Sequence, residues 1–171
     1  MRQARVALLI ITSLKEIPVA ISVSIEINRA FDVKADFDTV FKTLADVPQS
    51  VSHFPKVDQL VPLGDNTYRW EMQKVGVDKY AVQTVYACKY HANKDTGVIT
   101  WEPVPGVGNG VVSGSWQIKA VDGGTQIRFS TKGSLDIPVP SLLKLAISPV
   151  VKHEFNALID TYIENLQKAL S

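Results

Sequence analysis

From Thr67 to Leu135 the chain repeatedly alternates apolar and polar side chains, and it then closes on a helical stripe. Tyr68, Trp70 and Met72 oppose Arg69, Glu71 and Gln73. Val82, Thr84, Tyr86, Cys88 and Tyr90 oppose Gln83, Lys89 and His91. Ile99 and Trp101 continue the first set, as do Val112, Gly114, Trp116 and Ile118, and then Ile127, Phe129 and Thr131. Their counterparts include Ser113, Ser115, Gln117, Lys119, Gln126, Arg128 and Lys132. A period of two sends each set to one face of a strand. Several such strands in succession make an antiparallel sheet with one wet and one covered face. The cover is supplied at the end of the chain, where Val151, Phe155, Leu158, Ile159, Tyr162, Ile163, Leu166 and Leu170 recur at helical spacing.

The order of the elements follows from the punctuation. Ile21, Val23, Ile25 and Ile27 alternate with polar residues and read as a first strand. Asp36 reads as a helix N-cap before Phe37, Val40, Phe41 and Leu44, and Asp46-Val47-Pro48 ends that helix. Gln49 to Phe54 adds a further helical turn. Gly64-Asp65-Asn66 separates a short strand from Thr67–Val75, and Gly76-Val77-Asp78 leads into a strand over Tyr80–His91. Val98–Pro103, Val111–Val121 and Thr125–Leu135 follow, the last two joined by the hairpin turn Asp122-Gly123-Gly124. Ser148-Pro149 fits either the start of the last helix or a kink in one that begins near Ser141. About seven strands, mostly hairpin-linked, precede one long helix.

A chain of 171 residues with 46% hydrophobic residues suits one self-sufficient domain, assigned to residues 19–171. Eighteen Lys and Arg against 17 Asp and Glu give a formal charge of +1, which removes the basic face that nucleic acid requires. The same balance argues against a polybasic membrane patch. One cysteine, Cys88, excludes an internal disulfide framework and a multi-cysteine metal site and suits a reducing cytoplasm. Residues 1–18 form an N-terminal extension of unassigned role. Val6 to Ile11 imitates a signal peptide, but Lys15 and Glu16 stand where small residues would lead to cleavage.

The inner face is unusual for a plain core. It carries Tyr68, Tyr86 and Tyr90 and all three tryptophans, Trp70, Trp101 and Trp116, whose O–H and N–H groups need partners when buried. Gly114 leaves space, and Thr84 and Thr131 add hydroxyls. Aromatic walls with a few polar groups describe a ligand pocket, and a close-packed aromatic core is the competing reading. The candidate ligand-binding residues are Tyr68, Trp70, Thr84, Tyr86, Tyr90, Trp101, Gly114, Trp116, Phe129 and Phe155.

Catalytic and metal motifs are absent from the sequence. His53, His91 and His153 each stand alone, without a second ligand at metal-binding spacing. His91 and His153 read as surface residues. His53, before Phe54-Pro55, is the single candidate for a base, with a solvent-facing role as its competitor. Cys88 among aromatics reads as a small apolar residue, because desolvation disfavours the thiolate. Glu102 reads as a solvent carboxylate. The loop Gly106-Val107-Gly108-Asn109-Gly110 precedes a strand, not a helix, and so lacks the helix N-terminus that binds phosphate; it reads as a flexible hairpin over the cavity mouth. No metal and no cofactor is expected.

The stretch from Phe31 to Phe41, the passage Leu44-Ala45-Asp46-Val47-Pro48 through His53-Phe54-Pro55-Lys56-Val57, and the closing helix Phe155–Leu170 resemble the START-related SRPBCC superfamily. The resemblance covers residues 19–171. It implies an α+β helix-grip fold, with a curved antiparallel sheet wrapped around the C-terminal helix and a hydrophobic cavity between them. It further implies binding or transport of a hydrophobic small molecule, such as a lipid, an isoprenoid quinone or a polyketide. The alternatives it leaves open are a polyketide cyclase/aromatase-like enzyme and an accessory protein for an enzyme complex, with a homodimer or a partner enzyme also open. These motifs position a scaffold and carry no catalytic residue across.

Overall fold

The computed structural model describes residues 19–75 and 81–171. The N-terminal extension and the Gly76-Val77-Asp78 turn therefore lie outside the described residues. Seven strands form one sheet: β1 (Val19–Val33), β2 (Val57–Gly64), β3 (Thr67–Met72), β4 (Val85–Asn93), β5 (Val98–Pro103), β6 (Gly110–Val121) and β7 (Gly124–Val139). Their order is β1-β7-β6-β5-β4-β3-β2, and every neighbouring pair is antiparallel. Consecutive strands pair throughout from β2 to β7. Only β1 crosses the sheet, to pair with β7 from Val19↔Val139 to Val33↔Thr125. The crossing is made by two short helices, α1 (Phe37–Ala45) and α2 (Val47–Val51).

Asp36 caps α1, its carboxylate accepting the Thr39 N–H at 2.8 Å. Asp46 serves two helices. Its N–H donates to the Lys42 carbonyl at the end of α1, while its carboxylate accepts the Gln49 N–H at the start of α2. Pro48 sits in the first turn of α2, where a missing N–H costs nothing. The sharp junction turns both helices' apolar sides inward and buries Val40, Leu44, Val47, Ser50 and Val51.

The C-terminal helix α3 (Lys144–Ala169) follows a 3₁₀ turn at Ser141–Leu143 and contains Pro149. The helix thus begins well before Ser148, and the proline lies inside it. Pro149 cannot donate to the Leu145 carbonyl, which weakens the helix locally without ending it. α3 lies across the covered face, burying Ile159, Tyr162, Ile163, Leu166 and Leu170. Its far end is tied by polar contacts: the Leu170 carbonyl accepts the Ala35 N–H at 2.8 Å, and the Asn165 side chain donates to the His53 carbonyl at 2.9 Å. Midway, Arg29 of β1 reaches Asp160 at 2.8 Å and Asn156 at 3.0 Å. The first half of α3 packs chiefly through Ile147, Val151 and Phe155 against Ile21, Val23, Leu135, Ile137 and Val139.

Two strand ends differ from expectation. β3 stops at Met72, and β4 starts at Val85, not near Tyr80. Between them the ladder is distorted: the Met72 N–H donates to the Thr84 carbonyl, while the Met72 carbonyl accepts from the Gln83 side chain at 2.9 Å. A side-chain amide there takes the place of a backbone donor. Beyond it, Val75 and Val82 make an isolated bridge.

Candidate functional site

A cavity of about 70 Å³ lies between the covered face of the sheet, the α1–α2 corner and α3. Its wall includes Trp70, Tyr86, Tyr90, Trp101, Trp116, Phe129 and Phe155, seven of the ten residues expected to line a pocket. The other three are placed elsewhere. Tyr68 borders surface grooves beside α2 and β2. Thr84 belongs to the distorted segment before β4 and does not reach the wall. Gly114 is covered: a Cβ there would stand 2.3 Å from Cζ2 of Trp101 and 2.3 Å from the Ser130 carbonyl oxygen. The space left by the missing side chain is taken by the indole of its cross-strand partner Trp101, not by the cavity.

The aromatic side chains interlock, which accounts for the small volume. Trp70 stacks on Tyr86 with centroids 5.6 Å apart, and Phe54 meets Trp70 edge-on at 5.4 Å. Trp116 lies 4.6 Å from Phe129 and 5.8 Å from Tyr162. Pockets that hold drug-sized ligands measure roughly 300–1,000 Å³. This cavity is smaller than such pockets, and accepting a ligand of that size requires aromatic side chains or α3 to move.

Sequence periodicity did not reveal the α1–α2 side of the wall, made by Leu44, Val47, Ser50, Val51 and Phe54. It also left the polar centre unassigned. Ser50 and Tyr162 are both buried, and their hydroxyls are hydrogen-bonded at 2.5 Å. Two traces of this pair stand in the sequence: a tyrosine within the apolar stripe of α3, and a serine between the buried positions Val47 and Val51. Trp70 Nε1 donates to the Tyr90 hydroxyl at 3.0 Å, and Thr131 donates to the Ser113 carbonyl at 3.1 Å.

No charged side chain contributes to the wall among the described residues. Burial raises the phenol pKa values of Tyr86, Tyr90 and Tyr162, so all three stay protonated at neutral pH. Cys88 is fully buried, donates to the Val112 carbonyl, and has its thiol pushed up to about 12 by desolvation. It therefore behaves as a small apolar residue and not a nucleophile. His53 is half-buried and lies off the wall, contributing its backbone carbonyl to the Asn165 contact. His91 is exposed and pairs with Glu102 at 3.1 Å. His153 is exposed as well. Among the described residues no group of three or more His, Cys, Asp or Glu is arranged to hold a metal.

The glycine-rich loop before β6 is anchored, in contrast to the flexible hairpin expected. The Asn109 side chain accepts the Val85 N–H at 2.9 Å and donates to the Gln83 carbonyl, while its backbone N–H donates to the Val85 carbonyl and its carbonyl accepts the Asp136 N–H. Gly108, at φ +68°, packs so closely that a Cβ would meet the Val85 carbonyl oxygen at 2.1 Å. A single asparagine thus fixes the loop to β4 and β7.

The family model described as polyketide cyclase/dehydrase and lipid transport matches residues 24–171. The chain belongs to this family. Solved structures agree with the helix-grip fold of this polyketide cyclase/dehydrase family. The Zhui aromatase/cyclase from Streptomyces sp. R1128 superposes with a TM-score of 0.56 at 16% identity, covering 86% of this chain and 91% of that one. A START superfamily protein from Mycobacterium smegmatis gives 0.59 at 13% identity, covering 85% and 96%. A conserved protein from Geobacillus kaustophilus gives 0.61 at 16% identity, covering 85% and 95%. At these identities the likeness carries the fold alone. A search of curated proteins gave no match. Among the described residues, no helix is long and apolar enough to cross a membrane.

Proposed function

We propose that this protein binds and carries a hydrophobic small molecule, of the lipid, isoprenoid or polyketide kind, in the cavity between sheet and α3. The carrying observation is the wall itself, which is aromatic and aliphatic with a few hydroxyls and no charged group among the described residues. Such a wall gains affinity by removing apolar ligand surface from water, at roughly 25 cal/mol per Å². Membership of a family described by polyketide chemistry and lipid transport supports the same class of ligand. A cytoplasmic setting fits the single thiol.

Binding favours carriage over catalysis in this reading. Among the described residues the wall offers no carboxylate, imidazole or amine, and burial holds its phenols protonated. A general base poised near neutral pH would have to come from outside the wall.

Access is expected where α3 is least tied. From Lys144 to Phe155 the helix contains Pro149, is held by apolar packing and one exposed ion pair, Lys56–Glu154 at 3.7 Å, and exposes Leu142, Leu145 and Val150 beside that end. Its second half carries the polar ties to Ala35 and His53.

The test is a calorimetric titration with alkylbenzenes of increasing size. Trp116→Ala removes the indole between Phe129 and Tyr162 and is expected to shift preference toward larger members. Lys119→Ala, on the outer face, leaves the preference as it was. Equal effects from both substitutions would refute the pocket.

A further inference from the structure

The cavity holds more hydroxyl donors than acceptors to receive them. In the Ser50–Tyr162 pair one O–H donates to the other oxygen, which leaves one proton of the two without an acceptor among the described residues. Tyr86, only 8% exposed, makes no side-chain hydrogen bond among the described residues. Tyr90 accepts from Trp70, and its own proton has no acceptor there either. By contrast, the Thr131 hydroxyl and the Cys88 thiol spend their protons on backbone carbonyls. Ser50, Tyr86, Tyr90 and Tyr162 all line the one cavity. No fully buried side-chain nitrogen or oxygen among the described residues lacks a partner, so the unpaired Tyr86 hydroxyl keeps accessible surface where Tyr86 lines the cavity, and hydroxyl protons gathered around one space without acceptors point to what fills it.

We propose that Ser50, Tyr86 and Tyr162 form a donor site for the acceptor oxygen of an uncharged ligand, a ketone or ester carbonyl, and that the cavity rejects carboxylates. The inference rests on the cavity being a binding site and adds the polarity of its occupant. Hydroxyl donors suit a carbonyl oxygen, which accepts without donating. A carboxylate would also accept, but no cation lines the wall among the described residues, and an unpaired charge in an apolar enclosure is strongly disfavoured. A plain hydrocarbon would fit the walls and leave the donors unmatched.

Three probes of nearly equal size separate these cases: acetophenone, α-methylstyrene, in which the carbonyl oxygen is replaced by a methylene, and benzoate. Affinities are measured by calorimetry at pH 7 on the wild type and on Tyr86→Phe and Tyr162→Phe. Each substitution is expected to weaken acetophenone by about two- to tenfold, the worth of one hydrogen bond. Binding of α-methylstyrene should change by less than about twofold, which also shows that the variants are folded. Benzoate should bind at least about tenfold more weakly than acetophenone. Equal losses for ketone and hydrocarbon, or benzoate binding as well as acetophenone, would overturn the donor site while leaving the apolar cavity standing. Failure of acetophenone and α-methylstyrene alike to bind the wild type would overturn the binding cavity itself, and this inference with it.

Discussion

Gly114→Ala puts the packing of the aromatic wall to a quantitative test. The added methyl would lie 2.3 Å from the Ser130 carbonyl oxygen and 2.3 and 2.6 Å from Cζ2 and Cε2 of Trp101, where ordinary contacts fall at 3.4–4 Å. The carbonyl belongs to β7, hydrogen-bonded to β6 along its whole length, and cannot retreat without breaking register. The indole must yield instead. It is held by Phe129 at 5.8 Å, Tyr90 at 6.1 Å and Trp116 at 6.2 Å, so a shift of about an ångström spreads through the wall. Overpacking of this kind costs about 1–3 kcal/mol, and replacing glycine returns about 0.4–1 kcal/mol through the unfolded chain. A net loss of about 1–2 kcal/mol is expected. With a urea slope of about 1–3 kcal/mol/M, the unfolding midpoint should fall by roughly 0.3–2 M. Combining the change with Trp101→Phe, which removes the obstructing ring, should yield less than the sum of the two losses. An unchanged or raised midpoint for Gly114→Ala would refute the close approach of Trp101.

Three further outcomes follow from burial and from the ties on α3. Cys88 should resist a thiol reagent at pH 8 in the folded protein and react at an ordinary rate in urea; native reactivity would contradict its burial. Because the folded thiol ionises near 12 against an ordinary 9.0, the unfolded chain loses its proton first, and stability should decline as pH rises from about 9 toward 12. Cys88→Ser should lose less stability between about pH 9 and 10, whereas above about 10 the buried phenols of Tyr86, Tyr90 and Tyr162 bring their own decline to both proteins. Backbone amides of α3 before Phe155 should exchange with solvent faster than those after Ile159, where the polar ties lie; uniform protection would remove the proposed route of entry.

The sheet was legible because the period of two is a property of each strand alone. Tyr68 to Met72 and Ile127 to Thr131 announce their faces without knowledge of their neighbours. The caps at Asp36 and the hairpin at Asp122-Gly123-Gly124 are equally local. What escaped depends on partners distant in the chain. Arg29 interrupts the apolar face of β1, and only α3, through Asp160 and Asn156, explains it. The Ser50–Tyr162 bond spans 112 positions, so neither residue betrays it alone. Gly114 suggested empty space because its filler, Trp101, comes from the next strand. Asn109 looked like one more turn residue, yet its side chain fixes a loop against two strands. The aromatic face was therefore legible strand by strand, whereas the Ser50–Tyr162 pair and the small volume of the cavity emerged only from the packing.

If the cavity holds an uncharged apolar molecule, that molecule should travel with the folded protein. Native mass spectrometry of the freshly purified protein, followed by organic extraction, tests it directly. The expected result is added mass on the folded protein and recovery of a neutral, oxygen-bearing apolar compound, displaced by acetophenone. Recovery of an anionic ligand would refute an uncharged occupant, as would an empty protein that takes up neither acetophenone nor α-methylstyrene.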